Sequence, residues 1–138
     1  MATTMQVDIV SAEAEIFSGE ATMLIASAEL GEVGIAPGHT PLITRIRPGE
    51  IRVQQPDGGE EIDVYVSGGI LEVQPYVVTV LADTALRADD IDEAAAQKAK
   101  EEAEAALAGK SGEIDYSAVQ KQLAEAAAQL QLVKKMRR

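Results

Sequence analysis

The 138-residue sequence contains no cysteine. It therefore has no disulfide framework, no thiolate nucleophile and no thiolate metal site, which is compatible with a reducing compartment. His39 is the single histidine, and this excludes a tetrahedral zinc site of the usual kind, which needs further histidine or cysteine ligands. An apolar run of about 18 residues is also absent, and residues 1–4 lack the basic and apolar regions of a signal peptide. The simplest expectation is a cytosolic protein.

Basic residues are scarce in the first part of the chain. Residues 1–86 carry 13 acids and 3 bases, whereas residues 87–138 carry 10 acids and 9 bases. Nucleic-acid binding needs a basic face, so no nucleic acid is expected as a partner. The densest basic group stands at the end of the chain, at Lys134, Lys135, Arg137 and Arg138. Such a group fits either an acidic partner or a helix C-terminus, where cations interact favourably with the dipole.

The pattern of the sequence changes within residues 81–93. Before this stretch apolar residues tend to alternate and Gly and Pro recur; after it Ala, Glu, Lys and Gln dominate and Pro is missing. The first pattern is typical of strands and the second of helices. We therefore predict an α+β protein with a β-sandwich domain over residues 1–86 and a helical hairpin domain over residues 87–138. Asp89 or Asp90 is the expected N-cap of the first helix.

Several short strands are predicted before residue 82. The candidate segments are residues 7–10, 22–27, 50–55, 60–67, 70–73 and 77–81. Asp57-Gly58 predicts a hairpin turn, and Ser67-Gly68-Gly69 predicts a sharp bend. Residues 11–19 are expected to form a turn-rich link, and residues 31–44, with three Gly and two Pro, a shaped loop. This arrangement indicates an antiparallel sandwich or a flattened barrel.

The second domain is expected to pair two helices through small residues. Ser117 is the predicted cap of the second helix, whose apolar seam would be Val119, Leu123, Ala126, Leu130 and Val133. The first helix would offer Ile91, Ala95, Ala99, Ala103 and Ala106 or Leu107. Because alanine buries little apolar area, the hairpin should be held weakly, and a weakly held helical pair suits a moving part.

Two local motifs have ordinary explanations. Gly109-Lys110-Ser111 resembles the end of a phosphate-binding P-loop, but Glu104 stands where the motif needs glycine and a helix precedes it, so an inter-helix turn is the better interpretation. His39 has no recognisable catalytic partners in the sequence, which favours a loop histidine that bonds backbone or meets a partner. We therefore expect no active site, no metal site and no cofactor.

Two longer motifs identify a family. They are Gly31-Glu32-Val33-Gly34-Ile35-Ala36-Pro37-Gly38-His39-Thr40-Pro41-Leu42-Ile43-Thr44 and Tyr65-Val66-Ser67-Gly68-Gly69-Ile70-Leu71-Glu72-Val73-Gln74-Pro75, followed by Thr79-Val80-Leu81-Ala82-Asp83-Thr84-Ala85. With them the chain resembles the epsilon subunits of bacterial F-type ATP synthases over nearly its whole length. The resemblance implies a ten-stranded antiparallel β-sandwich followed by an antiparallel two-helix hairpin.

The resemblance also implies a function without catalysis. Such a subunit turns with the gamma subunit and the ring of membrane c subunits on the central stalk of a proton-translocating enzyme, peripheral to the cytoplasmic face of the bacterial inner membrane. Its helices fold on the sandwich or extend to the catalytic β and α subunits, where they restrain ATP hydrolysis. Implied c-ring contacts are Glu29, Glu32 and His39. Implied head contacts are Lys121, Lys134, Lys135, Arg137 and Arg138.

Some family members bind ATP through Ile/Leu-Asp-x-x-Arg-Ala at the start of the first helix. Here Ile91 and Asp92 match, but Ala95 occupies the arginine position. Lys98 and Lys100 are poor substitutes because lysine lacks the planar fork that matches phosphate. We therefore expect ATP binding to be weak or absent. The competing hypothesis for the whole chain is a free-standing β-sandwich binding module that dimerises through its helical hairpin.

Overall fold

The computed structural model describes residues 3–109 and 116–136. The chain forms two compact units, Met1–Arg87 and Ala88–Arg138. A strand-rich first part followed by two helices confirms the predicted class, with nine strands described where the resemblance implied ten. The strands are β1 Met5–Ser11, β2 Glu15–Ala21, β3 Met23–Ala28, β4 Gly31–Ile35, β5 Leu42–Gln54, β6 Ile62–Val66, β7 Gly69–Val73, β8 Val77–Ala82 and β9 Ala85–Arg87.

One long strand organises the sheet of the first unit. The first half of β5 pairs with β7 and its second half with β6, while β3 lies along the same second half. The sheet order is β2-β1-β8-β7-β5-β3-β4, with β6 and β9 continuing from β5. Every described pairing is antiparallel except that of β1 with β8. Strand β5 continues through Pro48 and Gly49 and so belongs to both halves of the sheet. These two halves enclose one apolar core.

Alternation along the strands fills that core. In β1, for example, Met5, Val7 and Ile9 are buried and the residues between them are partly exposed. The buried cluster collects side chains from nearly all strands, including Leu24, Ile35, Ile51, Val64, Leu71 and Val80. Burial of such side chains is the main stabilising term for a unit of this size.

The two turns predicted from glycine form as expected. Asp57 and Gly58 both adopt positive φ, at 58° and 73°, between β5 and β6, which pair as a hairpin. Gly68 and Gly69, at the start of β7, have φ of 124° and 145°. At Gly69 a Cβ atom would collide with the Leu81 carbonyl oxygen, so only glycine permits this approach of two strands.

Two sequence predictions for this unit are wrong. Residues 11–19 are not a link throughout, because β2 begins at Glu15 and places Phe17 in the core. Residues 31–44 are not one loop, because β4 pairs with β3 over residues 31–35 and β5 begins at Leu42. In both cases strand pairing, of β2 with β1 and of β4 with β3, outweighs the local turn-forming residues. The loop proper covers residues 36–41.

The second unit contains a short 3-10 helix, Ala88–Asp90, and the helices α1 Glu93–Ala108 and α2 Tyr116–Met136, which pack against each other. Their short connection is typical of antiparallel neighbours. The N-cap of α1 is Asp92, not Asp89 or Asp90, since its carboxylate accepts a hydrogen bond of 3.0 Å from the Ala95 amide. Ser117 lies within α2 and not before it.

The apolar seam of the helices is partly as predicted. In α2, Ala126 and Leu130 are buried, and Leu132 joins them although it was not predicted. In α1 the buried residues are Ala96 and Ala103; Ala95 and Ala99 are exposed, which corrects the predicted seam. Neither α1 nor α2, over the residues described, is long and apolar enough to cross a membrane.

Candidate functional site

The turn between β3 and β4, residues 28–32, is held on strand β5 from two sides. The Glu29 amide donates to the Arg45 carbonyl at 2.9 Å, and Arg47 Nη2 donates to the Glu29 carbonyl at 2.5 Å. Gly31, with φ of 133°, closes the turn. Leu30 is 99% exposed at its tip. The backbone is thus fixed while the side chains face solvent, which suits a preformed contact surface.

The predicted c-ring contacts lie in two places. Glu29 and Glu32 belong to the β3–β4 turn, and Glu32 is within 3.8 Å of Arg52, which also bonds Glu50 at 3.2 Å. His39 lies in the loop 36–41, beyond the other end of β4. This loop is anchored by the Gly38 amide on the Pro75 carbonyl at 2.6 Å. Since β4 spans five residues, roughly 13 Å of strand separates Glu32 from this loop.

His39 forms the backbone contact expected of a loop histidine. Its Nδ1 lies 2.6 Å from the Thr40 carbonyl oxygen, and its amide donates to the Ala36 carbonyl at 3.1 Å. His39 is partly buried. The loop is therefore shaped largely by hydrogen bonds to its own backbone.

An apolar row crosses the solvent side of strands β1, β8, β7 and β5. Val10 is in register with Leu81, Leu81 with Ile70, and Ile70 with Arg45. Ile70 and Leu81 are 44% and 50% exposed, and Ile43, two residues before Arg45, is 72% exposed. We call these five residues the outer face. A sheet face that meets only water normally carries polar residues at such positions, so the outer face is a candidate contact surface.

Sequence reasoning missed the outer face. Its signal was available, because Val10, Ile70 and Leu81 occupy outward positions of strands whose inward neighbours are also apolar. What the sequence does not give is the parallel pairing of β1 with β8, which places Val10 beside Leu81. Without that pairing the three residues are unrelated surface positions.

The basic residues predicted to contact the catalytic head do not form one cluster. Lys121, Lys134 and Lys135 are exposed on α2, and the last two occupy its final turn. Thirteen residues of helix place Lys121 roughly 20 Å from Lys134 along the axis. Arg137 and Arg138 lie outside the described residues. The described lysines are therefore spread along the length of α2 and do not make a compact anion site.

In this chain the residues of the predicted nucleotide motif form the start of helix α1. Asp92 Oδ1 already accepts from the Ala95 amide as the N-cap, and Ala95 presents only a methyl group. Lys100 pairs with Glu104 at 3.9 Å along α1. Gly109 donates its amide to the Ala105 carbonyl at the end of α1, whereas Lys110 and Ser111 of the P-loop-like motif lie outside the described residues.

Carboxylates of Glu50, Glu61 and Asp63 lie within 4.8 Å of one another. Such clusters are common on acidic surfaces, and here the Arg52 guanidinium bonds Glu50 directly. The three carboxylates belong to the local charge network around Arg52, and this network accounts for the cluster without a metal ion.

The comparisons with known proteins cover both units. A family model described as the ATP synthase delta/epsilon chain β-sandwich domain matches residues 4–88, and the model of its long α-helix domain matches residues 89–134. The chain belongs to the ATP synthase delta/epsilon chain family.

Relatives named ATP synthase epsilon chain match the chain end to end. The one from Nitrosococcus oceani is 64% identical over all of this chain and 98% of its own length. Those from Alkalilimnicola ehrlichii and Xanthomonas campestris are 62% and 60% identical, over 99% of this chain and 96% of theirs. Identity at this level over the full length favours an epsilon-type subunit over the free-standing binding module.

Solved structures share the fold of this delta/epsilon family member. A chain of the Euglena gracilis mitochondrial ATP synthase, from a structure of OSCP/F1/c-ring, covers 91% of this chain with a TM-score of 0.80 and 21% identity, over 78% of its own length. A chain from the central stalk and c-ring of the Tetrahymena thermophila enzyme covers 97% with a TM-score of 0.58 and 13% identity, over 96% of its own length.

Proposed function

We propose that this chain is the non-catalytic epsilon subunit on the rotor of a proton-translocating F-type ATP synthase. It couples the c-ring and the gamma subunit to the catalytic head, and its helical unit restrains ATP hydrolysis. The observation that carries the proposal is the preformed β3–β4 turn together with the apolar outer face on a chain of this family. Both surfaces belong to the first unit, which suits a part that transmits torque between fixed contacts.

The β3–β4 turn is the proposed contact with the c-ring. Its backbone is fixed by Arg45 and Arg47 on β5, and Glu29, Leu30 and Glu32 project from it. A fixed turn loses little conformational entropy on docking. The polar loops of the c subunits lie at the cytoplasmic face of the bacterial inner membrane. A chain that contacts these loops therefore works at that face. His39, in its separate loop, forms a second point of contact.

The outer face is the proposed contact with the gamma subunit. Ile70 and Leu81 are exposed and in register on adjacent strands, and Ile43 lies one row away, opposite Glu72, so their burial on a partner removes apolar surface from water. Permanent protein contacts are richer in apolar area than the rest of a protein surface. The backbone under these residues is fixed by β-sheet pairing on both sides.

The helical unit is the proposed regulatory part. The residues that α1 buries are two alanines, Ala96 and Ala103, so α1 contributes little buried apolar area to the helical unit. A switch needs two states that differ by a few kcal/mol. In the extended state Lys121, Lys134 and Lys135 would meet acidic segments of the catalytic β and α subunits. Arg137 and Arg138 complete this proposed contact.

Cross-linking in assembled membranes tests the rotor assignment. The chain has no cysteine of its own, so Glu32→Cys provides a single reactive group at the β3–β4 turn, to be paired with a cysteine in the polar loop of the c subunit. We expect a specific product at this position. Glu60→Cys, at the exposed β5–β6 hairpin, is the matched control and should give none. Equal products from both positions, or none from position 32, would contradict the c-ring contact.

A further inference from the structure

Strand β5 holds all three basic residues of the first 86 positions: Arg45, Arg47 and Arg52. Arg47 bonds the Glu29 carbonyl, and Arg52 pairs with Glu50 and Glu32. Among the residues described, Arg45 differs from both, because its guanidinium makes no hydrogen bond or ion pair within the chain. Its charge is therefore available to another molecule.

The position of Arg45 is fixed by its backbone. The residue pairs with Ile70 across the sheet, and its carbonyl accepts hydrogen bonds from the Glu29 amide at 2.9 Å and from Thr44 Oγ1 at 3.3 Å. It ends the apolar row formed by Ile70, Leu81 and Val10. Adjacent strands are spaced by about 4.8 Å, so this row extends roughly 14 Å from Arg45 to Val10. A partner that covers the apolar row also covers the guanidinium.

We propose that Arg45 selects the partner of the outer face by requiring a carboxylate opposite it. This inference rests on the proposed docking of the gamma subunit and adds to it the charge that the gamma surface carries: an apolar strip with one Asp or Glu at its β5 end. Arginine stays charged under all ordinary conditions, so docking an apolar surface alone would bury an unpaired cation.

Two effects make this charge a determinant of specificity. A surface without a carboxylate at that point is rejected, because the desolvated guanidinium has no hydrogen-bond acceptor. The rest of the unit is acidic, with 13 acids against 3 bases over residues 1–86, so it repels generally acidic surfaces and leaves Arg45 as the local attraction. The planar fork of arginine also fixes the orientation of the carboxylate, which lysine does not do.

Binding to the F1 complex lacking this subunit tests the inference. The full chain is titrated onto the α, β and gamma complex of the same organism, and the dissociation constant is compared for wild type, Arg45→Ala, Arg45→Lys and Arg45→Glu. We expect Arg45→Ala to bind at least tenfold more weakly and Arg45→Glu at least a hundredfold, with Arg45→Lys between wild type and Arg45→Ala. A change of Asp or Glu to Lys on the gamma surface should restore binding of Arg45→Glu.

Gln54→Glu is the matched control. It changes the net charge by the same amount as Arg45→Ala, at another exposed position of the same strand, and should bind within twofold of wild type. Thermal unfolding of Arg45→Ala should be unchanged, because the side chain has no described partner to lose.

The outcomes separate the two proposals. If wild type binds tightly and Arg45→Ala binds within twofold of it, the carboxylate requirement is wrong and gamma docking stands. If wild type does not bind the F1 complex at all, the proposed rotor function fails and this inference with it. If Arg45→Ala instead abolishes self-association of the isolated chain and leaves F1 binding intact, the occupant is a second copy and the inference is overturned.

Discussion

At the scale of single residues, Gly69 is the position least able to change. Its φ of 145° is unfavourable for any side chain, and an added Cβ would collide with the Leu81 carbonyl on the neighbouring strand. We expect Gly69→Ala to lower the free energy of unfolding by about 2–4 kcal/mol, since backbone must shift to admit the methyl group. Urea unfolding of the full chain, followed by the circular dichroism of the strands, measures this change.

Gly34 provides the control for Gly69. It is also a strand glycine, but a Cβ atom there would lie 3.7 Å from Met23 Sδ, an ordinary contact. Gly34→Ala should leave the urea midpoint almost unchanged. If both substitutions destabilise the chain equally, the close approach of β7 and β8 is not the reason that glycine is needed at position 69.

Asp92 determines where α1 begins. Its carboxylate accepts from the Ala95 amide, which would otherwise lack an intrahelical acceptor. We expect Asp92→Ala to cost about 1 kcal/mol of helix stability, because the cap is lost. Hydrogen exchange should become faster at residues 94–96. Asp92→Asn retains an acceptor oxygen and should exchange at nearly the wild-type rate, so equal acceleration in both variants would assign the effect to charge and not to capping.

At the scale of elements, Arg87 bridges two sheet edges. Strand β9 pairs only with β6, and β2 pairs only with β1 among the described strands. The Arg87 Nε and Nη2 atoms both donate to the Ile16 carbonyl of β2, at 3.2 and 3.0 Å. One side chain thus links the two edges without a backbone ladder. It also ties the last residue of the first unit to β2.

Loss of this link should loosen β2 selectively. We expect Arg87→Ala to lower the free energy of unfolding by only about 1 kcal/mol, because water can replace the lost, solvent-exposed hydrogen bonds to the Ile16 carbonyl. Hydrogen exchange should accelerate more in residues 15–21 than in β3. Arg87→Lys can supply one donor and should fall between wild type and Arg87→Ala. Uniform acceleration over all strands would mean that the substitution destabilises the whole unit and does not act on this edge.

Local signals explain which elements the sequence predicts. The β5–β6 hairpin follows from Asp57-Gly58, since residues that tolerate positive φ between two strand-like runs favour a turn that pairs those strands. Strand β4 was missed because Gly31, Gly34 and Pro37 read locally as loop. It is a strand because β3 supplies its hydrogen bonds. Strand β2 was missed for the same reason. Strand pairing depends on both strands together, so the residues of one short window do not reveal it.

The candidate site is predicted less well than the fold. Motif resemblance pointed to Glu29 and Glu32, and the structure joins them on one turn, but it places His39 in a separate loop. The arginines that fix this turn, Arg45 through its carbonyl and Arg47 through its guanidinium, lie on β5, whose register with β3 no local pattern specifies. The outer face likewise needs the β1–β8 pairing.

At the scale of the whole molecule, the missing arginine at Ala95 bears on regulation. We expect the isolated chain to bind ATP weakly or not at all, since Asp92 is engaged as a cap and a methyl group stands where the phosphate fork is needed. Calorimetric titration of the full chain with Mg-ATP measures this. Lys98→Gln, which removes one exposed positive charge from α1, is the control and should not alter the result. Low-micromolar affinity would contradict the expectation.

Removal of the helical unit tests regulation in the assembled enzyme. The proposed c-ring and gamma contacts all lie within Met1–Arg87, and the sandwich model of the family ends at residue 88. A chain that ends after Arg87 should therefore still assemble and couple, while ATP hydrolysis rises severalfold because the part that reaches the catalytic head is gone. A second variant keeps the full length and changes five basic residues to Gln: Lys121, Lys134, Lys135, Arg137 and Arg138. It distinguishes inhibition by the charge of these side chains from inhibition by the volume of the helices. If that chain stays inhibited while the truncated one does not, the helices act by steric obstruction. If truncation leaves hydrolysis unchanged with assembly intact, the inhibitory role is wrong for this chain and the rotor role stands alone.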